Sequence, residues 1–247
     1  MSKQSTSQLL TGLGIPKERL TRYSLFEPFN RKPNLNGDLA SGTEATREPS
    51  NPDFEILGAN AASSCTAFSG GGGVKLTTTT SASDAVVVLP HLDTAQSGWA
   101  GVTWGTEDET NWGTAVATDT SIADIVIWAG LKLTNTSTTA TDDNQAFFRF
   151  APATNGGRFQ AVYSVSGTDY ELDTGVTVAA STAYTFQIIL GADRKPSFFI
   201  NGEQVAKGQN AMTTGIDLIP YVGVLTSTTA AKSIHLRWEA ISKLYQN

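Results

Sequence analysis

From Asp53 onward, short apolar runs alternate with clusters of Gly, Ser, Thr and Asn, a pattern that predicts strands joined by turns rather than helices. In the run that begins at Ile122, the positions Ala123, Ile125, Ile127, Ala129, Leu131 and Leu133 share one face, whereas Asp124, Lys132 and Thr134 share the other. That period of two predicts a half-buried strand. Ala146, Phe148 and Phe150 repeat it, as do Phe159, Ala161, Tyr163 and Val165, and then Tyr184, Phe186, Ile188 and Leu190. Asn201-Gly202 separates Ser197–Ile200 from Glu203–Ala206, and Asn-Gly accepts the positive φ angles of a two-residue hairpin turn. The last run places Ile234, Leu236, Trp238 and Ala240 on one face and His235, Arg237 and Glu239 on the other. In total the body reads as about eleven strands, the signature of a sandwich.

The first 53 residues read differently. Pro16, Pro28, Pro33, Pro49 and Pro52 cannot donate to a ladder and bias their predecessors toward extended backbone. One short helix is predicted, about Thr6 to Leu13, capped by Ser5 or Thr6 and stopped by Gly14. The expected organisation is therefore an extended arm over residues 1–53 and a sandwich domain over residues 54–247. The arm is more apolar than a solvated linker needs, which points to ordering against a neighbour. Leu20, Tyr23, Phe26 and Phe29 are its candidate anchors.

Composition narrows the function. Of 247 residues, 33 Thr, 21 Ser and 23 Gly favour strands and turns, while the net charge of −6 disfavours nucleic acid as the main ligand. The charge lies in the body, since residues 1–53 hold seven basic and six acidic side chains. No run of 18 apolar residues is present, so no membrane partner is expected, and the opening Met1–Thr6 lacks a signal-like apolar core, so synthesis in the cytosol is expected. Cys65 alone forms no internal disulfide and, with only His91 and His235, makes no zinc set. Gly70-Gly71-Gly72-Gly73 reads as a loop, because Val74-Lys75-Leu76-Thr77 lacks the Lys-Ser/Thr ending of a phosphate loop.

One stretch carries a resemblance. Tyr184–Ile188, the polar turn Gly191-Ala192-Asp193, Pro196–Val205 around Asn201-Gly202-Glu203, Leu218–Val224 and Ile234–Leu244 follow in that order. The order resembles the C-terminal half of concanavalin-like jelly rolls, shared by legume lectins, laminin G-like modules and laminarinase-type glucanases, over about residues 120–245. The resemblance implies an all-β, antiparallel jelly-roll sandwich. With an irregular arm and Thr/Ala-rich loops, the chain also resembles structural proteins of tailed-phage virions, the head decoration and fibre proteins. That likeness implies a capsid decoration or cement protein located on the virion, with the major capsid protein or another virion protein as partner and a homo-oligomer, three-fold for preference, as its assembly. Such an arm would clamp capsid subunits together by burying apolar surface across their junctions.

The alternative is a carbohydrate-binding module for host glycan attachment. Trp104 and Trp112 are its candidate stacking residues, since indoles stack on sugar rings and the acidic loop Glu107-Asp108-Glu109 lies beside them. Trp128 and Trp238 are assigned to packing. No enzyme is expected. The glucanases carry Glu-x-Asp-x-Glu on one strand, and no such triplet occurs here. The two histidines, both read as surface or edge residues, anchor no Ser-His-Asp set. Asp142-Asp143-Asn144 is the oxygen-rich turn on which a calcium ion could be sought, but it lacks a closing glutamate, so no metal and no cofactor are expected.

Overall fold

The computed structural model describes residues 22–35, 53–58, 64–68, 70–90, 98–134 and 142–245. Among these residues, two sheets of eight strands face one another. Sheet A runs in the order β14 (Glu203–Lys207), β13 (Pro196–Ile200), β12 (Ala183–Leu190), β7 (Asn111–Thr118), β16 (Ser233–Leu244), β5 (Val74–Thr77), β4 (Ser64–Ala67). A further strand, β1 (Arg22–Glu27), pairs with the second half of β16. Sheet B runs β11 (Thr168–Thr177), β10 (Arg158–Val165), β9 (Gln145–Phe150), β8 (Ile125–Lys132), β15 (Ile219–Thr226), β6 (Ala85–Pro90), β3 (Phe54–Gly58), β2 (Asn34–Leu35). All pairings are antiparallel except β2 with β3. The chain is an all-β antiparallel sandwich, as its period-two runs require.

The core lies between the sheets. Phe186 of β12 meets Phe148 of β9 at 4.8 Å and Phe159 of β10 at 5.0 Å between ring centroids, and Phe198 of β13 meets Phe148 edge-on at 5.4 Å. Each such ring, fully buried, contributes about 2–3 kcal/mol of transfer free energy. The hairpin at Asn201-Gly202 forms as predicted, with φ of 52° and 84° at its two turn residues.

Three expectations need correction. The Ile122 run becomes a strand only at Ile125, after a turn with positive φ at Asp124, and it is buried on both faces. Ile125, Ile127, Ala129 and Leu131 enter the main core, while Trp128 joins a second apolar cluster with Val87, Leu89, Phe147 and Tyr221 on the outward face of sheet B. Lys132 is fully buried there, its ammonium 5.4 Å from the Tyr221 ring, and burial pulls its pKa down to about 8.

The second correction concerns the arm. Residues 22–35 belong to the sandwich: β1 lies along β16, and β2 lies along β3 in the opposite sheet. Tyr23 and Leu25 pack against the core, and Phe29 is 1% exposed with its ring 5.1 Å from Phe54. Tyr23 and Phe29 are therefore spent on the chain's own fold, because they fill space between its sheets. Leu20 and the helix expected at Thr6–Leu13 lie outside the described residues.

The third correction is in β16. A register shift between Leu236 and Trp238 places two residues of β16 against one of β7, a bulge that reverses the facing of every later residue. Ile234 and Leu236 enter the core as predicted, but beyond the bulge Glu239 and Ile241 point inward, and Trp238 and Ala240 point out. The bulge creates the surface described next.

Candidate functional site

The outward face of sheet A carries a groove of about 540 Å³. Its plan follows from register. Gln187 of β12 lies opposite Gly113 of β7, Gly113 opposite Ala240 of β16, and Ala240 opposite Phe26 of β1. Two residues with almost no side chain thus form the floor, with an amide wall on one side and an aromatic wall on the other. The neighbouring row sets Asn111 of β7 against Ser242 of β16, and Ser242 against Ser24 of β1. Thr185 and Gly202 complete the rim.

Trp238 lies across this floor. Its ring is 6.0 Å from that of Phe26 with 33° between planes, and a Cβ on Gly113 would stand 3.7 Å from the indole and 3.2 Å from the Phe186 carbonyl. Phe26 is 61% exposed and Trp238 half-buried, so both present ring surface to solvent. The Thr114 hydroxyl donates to the Trp238 carbonyl at 2.7 Å and anchors the strand beside the bulge. Gln187 Nε2 donates to Asn111 Oδ1 at 3.0 Å, which holds the two amides side by side. None of the groove's described lining residues is ionisable.

Beneath the groove sits an ionisable group that is not part of its surface. Glu239 is fully buried, and its Oε1 accepts a bond from Trp112 Nε1 at 2.7 Å while Oε2 has no partner. Burial pushes its pKa up to about 8, with the Trp112 bond opposing and the carboxylate of Glu27 adding to the rise. Glu239 is accordingly a neutral acid at pH 7.

The tryptophans proposed from sequence are not at a surface. Trp104 is 2% exposed and donates to the Trp99 carbonyl at 3.4 Å, with Tyr23 against its ring, and Trp112 is completely buried. Alternation explains Trp112: Asn111 and Gly113 face the groove, so the residue between them faces the core. Neither indole can stack on a ligand. Of the four arm anchors, Phe26 alone is solvent-facing among the described residues, and it lies in the groove.

The remaining candidate chemistry is spent internally. Asp142 accepts the Leu133 and Thr134 amides on Oδ2 at 2.7 and 2.8 Å and the Thr134 hydroxyl on Oδ1 at 2.8 Å, so it closes a turn. Asp108 pairs with Lys243 at 2.9 Å, and Glu107 accepts the Gly215 amide at 3.0 Å. Among the described residues, no three His, Cys, Asp or Glu side chains converge to hold a metal ion. Sequence reasoning also passed over an alternating acidic triplet, Asp169, Glu171 and Asp173 on the edge strand β11. Arg149 takes Glu171 at 2.6 Å, Arg158 takes Asp173 at 3.1 Å, and Ser164 donates to Asp169, so the triplet is tied to β9 and β10.

No family model matches the chain, and no curated protein matches it. Solved structures do resemble it. A protein of unknown function from Shewanella oneidensis MR-1 has a TM-score of 0.57 at 12% identity, covering 99% of this chain and 96% of that one. The potassium-bound carbohydrate recognition domain of Emp46p gives 0.54 at 7% identity, over 87% and 97%. Alginate lyase A1-II', of polysaccharide lyase family 7, gives 0.54 at 11% identity, over 92% and 97%. At such identities the likeness concerns the fold alone, and that fold is the concanavalin-like lectin and glucanase jelly roll.

Proposed function

We propose that this protein binds a glycan in the sheet A groove and does not cleave it. The observation that carries the reading is the Trp238–Phe26 platform beside a floor of Gly113 and Ala240. Two solvent-facing rings, with Trp238 lying across a floor of small residues, suit the apolar faces of sugar rings, and the amides and hydroxyls on the rim suit their hydroxyl groups. Hydrolysis or elimination needs a positioned acid and base, and the described residues that line this groove supply neither side chain. That the Emp46p domain is a carbohydrate recognition domain and another neighbour a polysaccharide lyase supports a carbohydrate ligand for this architecture.

Tyr23 and Phe29, two of the four residues expected to anchor a capsid-cement arm, pack on the chain's own core, which favours the glycan reading over that role. A glycan array tests the proposal. Wild-type protein is expected to retain at least one class of glycan, and Trp238→Ala and Phe26→Ala to lose it at an unchanged melting temperature. Retention that survives both substitutions would place the ligand elsewhere.

A further inference from the structure

We infer that the ligand of this groove is a neutral polysaccharide, built of sugars without carboxylate, sulfate or phosphate groups; this rests on the glycan-binding reading above. The argument comes from how the polar groups of the lining are matched. Asn111 and Gln187 are bonded to each other through one N–H and one carbonyl, an arrangement that a joint flip of both amides preserves. The pair therefore always offers the remaining N–H donors together with one free carbonyl acceptor. A sugar hydroxyl satisfies both, since it donates and accepts. A carboxylate or sulfate only accepts, so it would meet the amide carbonyl with its own charge.

The rest of the rim follows the same rule. Thr185, Ser24 and Ser242 bring hydroxyls, and no cation stands among the described lining residues. Among the described residues, the cation bonded to the groove's lining is Arg22, whose Nε bonds to Ser242 Oγ at 3.2 Å and whose terminal nitrogen bonds to the Glu109 and Ser242 carbonyls at 2.5 and 3.2 Å, while Arg237 stands exposed at the bulge beside Trp238. Two of the three Arg22 guanidinium nitrogens are thus bonded to protein acceptors. An anionic sugar on the platform would lose water from its charge with no counter-charge from the described lining in exchange, a cost that a neutral sugar escapes. The net charge of −6 adds a repulsive field for polyanions.

The test is affinity electrophoresis of the full chain through gels that contain neutral polysaccharides (cellulose ether, glucomannan, xyloglucan, laminarin) or anionic ones (alginate, polygalacturonate, chondroitin sulfate). Wild-type protein should be retarded by at least one neutral polymer and by no anionic one, with retardation reduced at least about tenfold in Trp238→Ala, the size of effect seen when an aromatic anchor is truncated. Gln187→Arg, which keeps the fold because the side chain faces solvent, should lose neutral binding and gain retardation by polygalacturonate. Anionic retardation of the wild type that Trp238→Ala abolishes would overturn the neutral assignment and leave the glycan-binding groove standing. No retardation by any polymer would overturn both.

Discussion

Trp238 and Glu239 are adjacent in sequence and opposite in environment, one on the groove floor and one in the core, and the pair shows what a single inserted residue does to a strand. The buried carboxyl of Glu239 makes stability depend on pH. Its folded pKa, about 8, lies above the unfolded value of 4.5, so the folded state binds the proton more tightly. The stability that this proton confers is complete below pH 4.5, declines above it, and is lost once pH passes about 8. Urea unfolding from pH 5 to 9.5 should show that decline, amounting to a few kcal/mol at most. Glu239→Gln keeps an acceptor for Trp112 and should flatten the curve between about pH 4.5 and about 8. An unchanged slope in that variant would assign the titration to another group.

At the scale of elements, the groove is the product of two events that leave no local trace. One is the bulge at Arg237, which lacks the glycine that marks many bulges, so a strict period of two assigned Trp238 and Ala240 to the core. The other is the docking of β1 onto β16, where a Pro-flanked segment supplies Phe26 and Ser24 as one wall. By contrast, the Asn201-Gly202 hairpin was legible because its geometry is decided within four residues. The inward faces of β9, β10 and β12 were legible because an apolar residue recurs at every second position of each, although only β12 alternates cleanly, Phe147 and Val162 being buried on the outward faces of β9 and β10. Trp104 and Trp112 were misread because composition near an acidic loop says nothing about facing, whereas the alternation around Asn111 and Gly113 does. The floor offers a direct test of this geometry. Ala240→Leu adds its side chain to the outward surface, so it should fill the groove and abolish glycan retention while the urea midpoint moves by less than about 0.5 kcal/mol equivalent. A loss of several kcal/mol would mean that position 240 faces the core after all.

For the whole molecule, the sandwich assigns different work to its two sheets. The outward face of sheet B is built for order, with an apolar cluster around Trp128 and Tyr221 and an ion-paired strip that ends in the edge strand β11. Charge along such an edge also discourages strand addition by other chains. The outward face of sheet A is built with space, since Gly113 and Ala240 leave a trough between walls. A rigid core between the sheets holds both walls in register, which spares a ligand the cost of ordering its own site. The central claim is that this trough, through Trp238, is where a neutral glycan binds. The most direct measurement follows the five tryptophan indole N–H resonances by NMR while a neutral hexasaccharide pool (cello-, manno- and malto-hexaose) is titrated in. The account predicts that the Trp238 resonance shifts with saturation while those of buried Trp104 and Trp112 stay in place; a saturating shift at Trp104 or Trp112 with Trp238 unmoved would contradict it.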